Sequence, residues 1–178
     1  MNSRYSQAIA QSVIVAISCG CASGPLVAPP DVPPTLRPPA DQTVFVEAKA
    51  SGVQIYECAP NANQPFMFEW SFRAPEAALV DRAGTPLGKH YAGPTWESID
   101  GSTVVGEVKS RDPGPDNLAI PWLLLTAKST RGSGLFSQTR SIQRVQTTGG
   151  IAPAEACTSA KAKQIARVPY TATYYFYR

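Results

Sequence analysis

Apolar residues in this chain recur at every second position and hardly anywhere at the spacing of a helix. A period of two belongs to a strand, whose successive side chains leave opposite faces. "FMFEWSF" shows it most clearly: Phe66, Phe68, Trp70 and Phe72 share one side, Met67, Glu69 and Ser71 the other. The alternation predicts a strand with its aromatic face in the core. "TVFVEA" from Thr43 and "GVQIYEC" from Gly52 predict two earlier strands. "STVVGEV", Ser102 to Val108, predicts a strand after an Asp100–Gly101 turn signal.

"AIPWLLLTA", Ala119 to Ala127, is nearly continuous and apolar, as a central strand would be, with Pro121 at its start where a missing amide donor is tolerable. The C-terminal "VPYTATYYFYR" puts Tyr170, Ala172, Tyr174 and Phe176 on one face and Thr171, Thr173, Tyr175 and Tyr177 on the other. Such a run is expected to pair into the body of the sheet. "DRAGTP" from Asp81 and "TTGG" from Thr147 predict turns, and "RDPGPDN" from Arg111 a surface loop. Only "PAEACTSAKAKQIA", Pro153 to Ala166, has helical composition, for one short helix or a loop. The expectation is a single all-β domain, an antiparallel sandwich or barrel with at most one short helix.

The segment before the domain has a different character. Residues 1–21 combine Arg4, a broken apolar stretch from Ala8 to Ile17, and small residues around Cys19 and Cys21. This is the pattern of a signal peptide with a lipobox-like end, and it predicts lipidation at Cys21 or Cys19 and a membrane-anchored lipoprotein of the cell envelope. The alternative is a freely secreted or periplasmic protein. Residues 22–41 form a proline-rich tether or a surface-hugging arm, with seven prolines between Gly24 and Ala40. The all-β domain is expected over residues 42–178. Cys58 and Cys157 then remain, and in an oxidising compartment they suggest one disulfide, two separate buried thiols being the other reading.

Function is less constrained. The net charge of +3 is weak and scattered, which argues against nucleic-acid binding. His90 is the chain's only histidine and sits in "HYAGPTWESIDGS". A metal site or a cofactor site is not expected: His90 has no ligand-spaced partners, and the glycines lack the strand-to-helix context of a dinucleotide loop. The candidate catalytic residues are His90, Glu97 and Asp100, as a hydrolase acid–base set. The bland alternatives are a turn or strand-edge role for His90 and a hairpin role for Asp100. The candidate ligand-binding residues are Tyr91, Trp96 and Glu97, an aromatic groove suited to a glycan, a peptide or another envelope component. Trp70 and Trp122 are expected in the core.

Three function classes follow: a non-catalytic extracytoplasmic binding domain, a secreted hydrolase, and a purely structural β module. The hydrolase needs His90 and a carboxylate in one pocket. The binding groove needs Trp96 exposed beside a concavity.

The ordered segments "GVQIYEC", "EWSFRAPEAALVDRAGTPLGKHYAGPTWESIDGSTVVG", "IPWLLLTAK", "IQRVQTTGGIAPAEAC" and "VPYTATYYFY" resemble the DUF3455 family of uncharacterised bacterial and fungal proteins, which commonly carry export signals. The resemblance spans about residue 43 to 177. It implies an extracytoplasmic domain and favours the Cys58–Cys157 bridge. It implies no activity, because the family has no assigned catalytic residues.

Overall fold

A computed structural model describes residues 27–28 and 30–178. The predicted signal segment and the lipidation candidates Cys19 and Cys21 lie outside the described residues. Eight antiparallel strands follow one another: β1 (Val44–Pro60), β2 (Phe68–Val80), β3 (Pro86–Tyr91), β4 (Thr95–Ser98), β5 (Thr103–Asp112), β6 (Trp122–Arg131), β7 (Ser141–Gly149) and β8 (Ile165–Tyr177). Each pairs with its neighbour in sequence, and β8 returns to β1, so the sheet closes into a barrel. Closure pairs every strand on both sides over the barrel body, while β2 before Ala77 and β5 beyond Val105 outrun the short β3 and β4 and keep an open edge. The interior holds Val46, Ala48, Ala50, Leu79, Val104, Leu123, Leu125, Ile142, Ala172 and Phe176. The β8 alternation is as expected: Tyr170, Ala172, Tyr174 and Phe176 all join that core.

A meander alternates its connections between the two ends. One end is closed by the β6–β7 loop. Phe136 is fully buried there, its ring 4.5 Å from Phe176. The loop is fastened from the β4–β5 turn: Leu135 N donates to Asp100 Oδ2 at 2.7 Å and Phe136 N to Ser102 Oγ at 3.0 Å. The other end carries the β1–β2, β3–β4, β5–β6 and β7–β8 connections and stays open. A Cys58–Cys157 disulfide, Cα–Cα 5.5 Å, ties β1 to the β7–β8 connection, and Trp70 Nε1 donates to Glu155 O of the same connection.

The proline-rich segment is an arm against the barrel wall over the residues described. Val32 and Leu36 pack on the outward side chains Leu124, Val145, Tyr175 and Tyr177, while Gln143 Nε2 donates to Leu36 O. This covering explains why β6 is apolar on both faces. Leu123 and Leu125 point in, whereas Leu124 and the half-buried Trp122 point out beneath the arm.

Several local expectations are corrected. "FMFEWSF" does not turn an aromatic face into the core: Phe66 is 98% exposed and Phe72 52% exposed. A bulge at Arg73, opposite Ile55/Tyr56, changes the parity, so that Trp70 and Phe72 before it share the inward face with Pro75, Ala77 and Leu79 after it, and only the latter three are buried. The aromatic half of β2 runs past the barrel at the open end, where no opposite wall exists to bury it. Trp70 is therefore only half-buried. The two early strands are one, β1, because Gly52 lets β2 pass close: a Cβ there would lie 2.0 Å from Glu76 O. "TTGG" is a bulged strand end rather than a turn, since β7 continues to Gly149 with its irregularity between Val145 and Thr148. The helical composition after Pro153 yields only a 3-10 turn, Ser159–Lys161.

Candidate functional site

The open end leads into a cavity of about 450 Å³ that reaches down the barrel axis. Its apolar wall comes from Phe72, Pro75, Val108, Ile120, Leu123 and Leu125, and its polar lining from Gln54, Tyr56, His90, Trp96, Arg144 and Tyr174, with Arg73 and Arg111 nearer the mouth. Pro94, in the β3–β4 turn, completes the rim. The volume lies in the range of small-molecule sites.

His90 is not a turn or edge residue. It lies inside β3, paired on both sides, and is 3% exposed. Its ring stacks on Trp96 with centroids 4.3 Å apart and meets Tyr174 edge-on. Its Nδ1 is 2.8 Å from Thr95 O. A carbonyl only accepts, so Nδ1 carries the proton and Nε2 the lone pair. Burial drives the His90 pKa down to about 3; the Thr95 carbonyl opposes the shift and the positive charge of Arg144 adds to it. The imidazole is neutral at any physiological pH.

Trp96 is 1% exposed and stands inside the barrel. Gly106 makes room for it: a Cβ on Gly106 would touch the indole at 3.0 Å. Tyr91 and Glu97 lie on the other face of the sheet. There Tyr91 Oη donates to Glu97 Oε2 at 2.7 Å, and Lys89 Nζ reaches Oε1 at 3.1 Å. The Tyr91 hydrogen bond, with help from Lys89, holds the Glu97 carboxyl below its ordinary pKa. The three residues expected to form an aromatic groove are thus divided by the barrel wall. Tyr175 and Tyr177, on the second face of β8, are buried under the arm.

Asp100 belongs to the closed end. Oδ1 accepts from Ser102 N at 2.8 Å and Ser102 Oγ at 2.6 Å, while Oδ2 accepts from Leu135 N. These bonds, the Ser102 hydroxyl first, lower its pKa to about 2. Both oxygens are engaged in fastening loops. His90 therefore shares no pocket with Glu97 or Asp100, and no carboxylate is among the residues lining the cavity. Among the described residues, no three His, Cys, Asp or Glu side chains are grouped to hold a metal ion.

Three cavity-lining groups carry its chemistry without standing out as site residues in the sequence, Gln54, Arg144 and Tyr174, and Tyr170 is buried in the core close to them. Arg144 directs Nε and Nη2 at Pro121 O, at 3.1 and 2.8 Å, and forms no ion pair with a carboxylate among the described residues. Gln54 Nε2, Trp96 Nε1, Tyr170 Oη and Tyr174 Oη are buried without a hydrogen-bond partner of good geometry. Native proteins rarely leave so many buried polar atoms unmatched in one place. A sequence signal existed in the phase of the strands. Arg144 falls on the same face of β7 as Ile142, and Gln54 on the same face of β1 as Ala48 and Ala50.

Fold and site together define a closed eight-stranded meander barrel, plugged at one end and open at the other onto a cavity of mixed apolar and polar lining. The sequence profile described as "Protein of unknown function (DUF3455)" matches residues 39–178, and the chain belongs to that family. No curated protein and no solved structure matches it.

Proposed function

We propose that this protein is a non-catalytic extracytoplasmic domain of the cell envelope, lipid-anchored through Cys19 or Cys21, that holds a small organic ligand in its barrel cavity. The observation that carries the binding reading is that three polar groups on the cavity wall, Gln54 Nε2, Trp96 Nε1 and Tyr174 Oη, are buried without a hydrogen-bond partner of good geometry. An empty apolar barrel would not need them, and a fully packed barrel would have no space beside them. The ligand enters by the open end, so a glycan or peptide lying along an outer aromatic groove is not the form of binding the geometry favours. A hydrolytic role lacks support because His90, neutral and stacked, has no carboxylate beside it in the cavity. The location rests on the signal-like N-terminus and on the Cys58–Cys157 bridge, which suits an oxidising compartment.

The test is ligand-observed NMR against a library of small organic compounds. The protein is compared with Val108→Trp, a substitution at the partly exposed wall of the cavity that narrows its mouth. Binding by the native protein that Val108→Trp abolishes, with the fold intact by circular dichroism, is the expected result. Library hits that bind both proteins equally would place the ligand outside the barrel and refute the reading.

A further inference from the structure

We infer that the cavity selects a monoanionic amphiphile: an organic carboxylate whose head meets Arg144 inside the barrel and whose apolar body lies along the wall toward the open end. The inference rests on the ligand-binding reading above and names the ligand class.

The polar lining holds more donors than acceptors, its acceptors being His90 Nε2, Gln54 Oε1 and the tyrosine hydroxyl oxygens. The guanidinium of Arg144, the amide Nε2 of Gln54 and the indole Nε1 of Trp96 can only donate, and the hydroxyl of Tyr174 can donate. The Gln54 amide, the Trp96 indole N–H and the Tyr174 hydroxyl meet no protein partner of good hydrogen-bond geometry, although Tyr170 lies beside Gln54 and Tyr174, and Arg144 beside Tyr174. No carboxylate lines the cavity to accept from them. A partner for this set must supply acceptor oxygens, and a cation would meet Arg144 with nothing to offset the repulsion.

The charge count limits the head group. Arg73 is already paired with Glu57 at 2.9 Å, and Arg111 is exposed at the rim. Arg144 alone is a formal positive charge within the barrel without an ion pair among the described residues. One cation matches one negative charge, and the planar fork of a guanidinium suits a carboxylate. A dianionic phosphate would carry a second charge into the cavity unmatched.

The rest of the lining gives the body of the ligand. Beyond the donors the wall is Pro75, Ile120, Leu123 and Leu125, leading to Phe72 and Val108 at the rim. Phe66, Met67 and Leu118, on connections at the same end, are also exposed. Of the exposed large apolar side chains among the described residues, only Ile99 sits at the closed end. An apolar chain leaving the cavity thus meets apolar side chains outside it.

Isothermal titration calorimetry with decanoate, decanol and decylamine tests the inference on the disulfide-bonded protein. The three probes share a chain and differ in head charge. Decanoate is expected to bind at least about tenfold tighter than decanol, the worth of a hydrogen bond to a charged group. Arg144→Gln should erase that preference, so that decanoate and decanol bind alike. Because Arg144 also bonds Pro121 O, Gln54→Leu provides a second reading that keeps this contact. It should weaken decanoate alone. Equal binding of decanoate and decanol, or tighter binding of decylamine, would overturn the carboxylate inference while leaving a ligand-binding barrel standing. No heat with any of the three probes, and no hit in the library experiment, would overturn both.

Discussion

Acidification from pH 7 to pH 5 should destabilise this protein through His90 alone. The chain has one histidine, and no other side chain has an ordinary pKa in that interval. Buried between Trp96 and Tyr174, His90 titrates at about 3 in the folded barrel and near 6.5 once unfolded. The folded pKa is depressed, so between these values the unfolded chain binds the extra proton. Stability is fully present above pH 6.5 and is lost as pH falls toward 3. At about 1.4 kcal/mol per pH unit, the loss between pH 7 and pH 5 is about 2 kcal/mol. Once the folded pKa lies below 5, this figure depends only on the unfolded one.

The assay is urea denaturation with the disulfide intact, at pH 7, 6 and 5, with a common slope. His90→Phe keeps an aromatic ring against Trp96 and removes the proton site. It should give a flat profile over the same interval, whatever its absolute stability. A native protein equally stable at pH 7 and pH 5 would refute the argument. So would a His90→Phe variant that retains the pH dependence.

Four other outcomes follow from the fold. Gly88→Ala should cost about 3 kcal/mol in urea denaturation, because Gly88 sits at φ 155° and an added Cβ would lie 1.9 Å from Glu97 O. Replacing Cys58 and Cys157 together by alanine should lower stability by about 2–5 kcal/mol, since the bridge closes a loop with a sequence separation of 99. Leu36→Ala should cost about 2 kcal/mol, as its fully buried side chain anchors the arm over Leu124 and Tyr177. Asp100→Ala should speed hydrogen exchange at the Leu135 and Phe136 amides before it affects the strands. In the native protein the same loosening should begin as pH falls below about 4 and approaches 2, where the depressed Asp100 carboxylate takes up its proton.

The strands were legible because alternation is a local property, and β8 shows it best: its parity alone assigned the inward tyrosines. What alternation cannot carry is phase across a bulge. One extra residue at Arg73 switches the inward parity of β2 from even positions, Trp70 and Phe72, to odd ones, Pro75, Ala77 and Leu79. Nor does alternation say how far a strand outruns the barrel, which is why Phe66 lies in solvent. The double-sided apolarity of "WLLL" was a true signal of burial on both faces, with a proline-rich arm as the second cover. The candidate site depends on the same local rule. His90 and Trp96 read in the sequence as one stretch with Tyr91 and Glu97. Adjacent residues in a strand, however, face opposite ways, so the stretch contributes to two surfaces. Arg144 and Gln54 escaped notice because each is a lone polar residue in an otherwise ordinary strand. Only closure of the barrel brings them to one cavity.

The central claim is that the barrel interior is a binding site for a carboxylate with an apolar body. A crystal structure of the protein grown with decanoate tests it most directly. The account predicts the carboxylate within hydrogen-bond reach of Arg144 and the chain running past Leu123 and Val108 to the open end. A cavity occupied by water alone, with decanoate absent or lying on the outer wall, would contradict it.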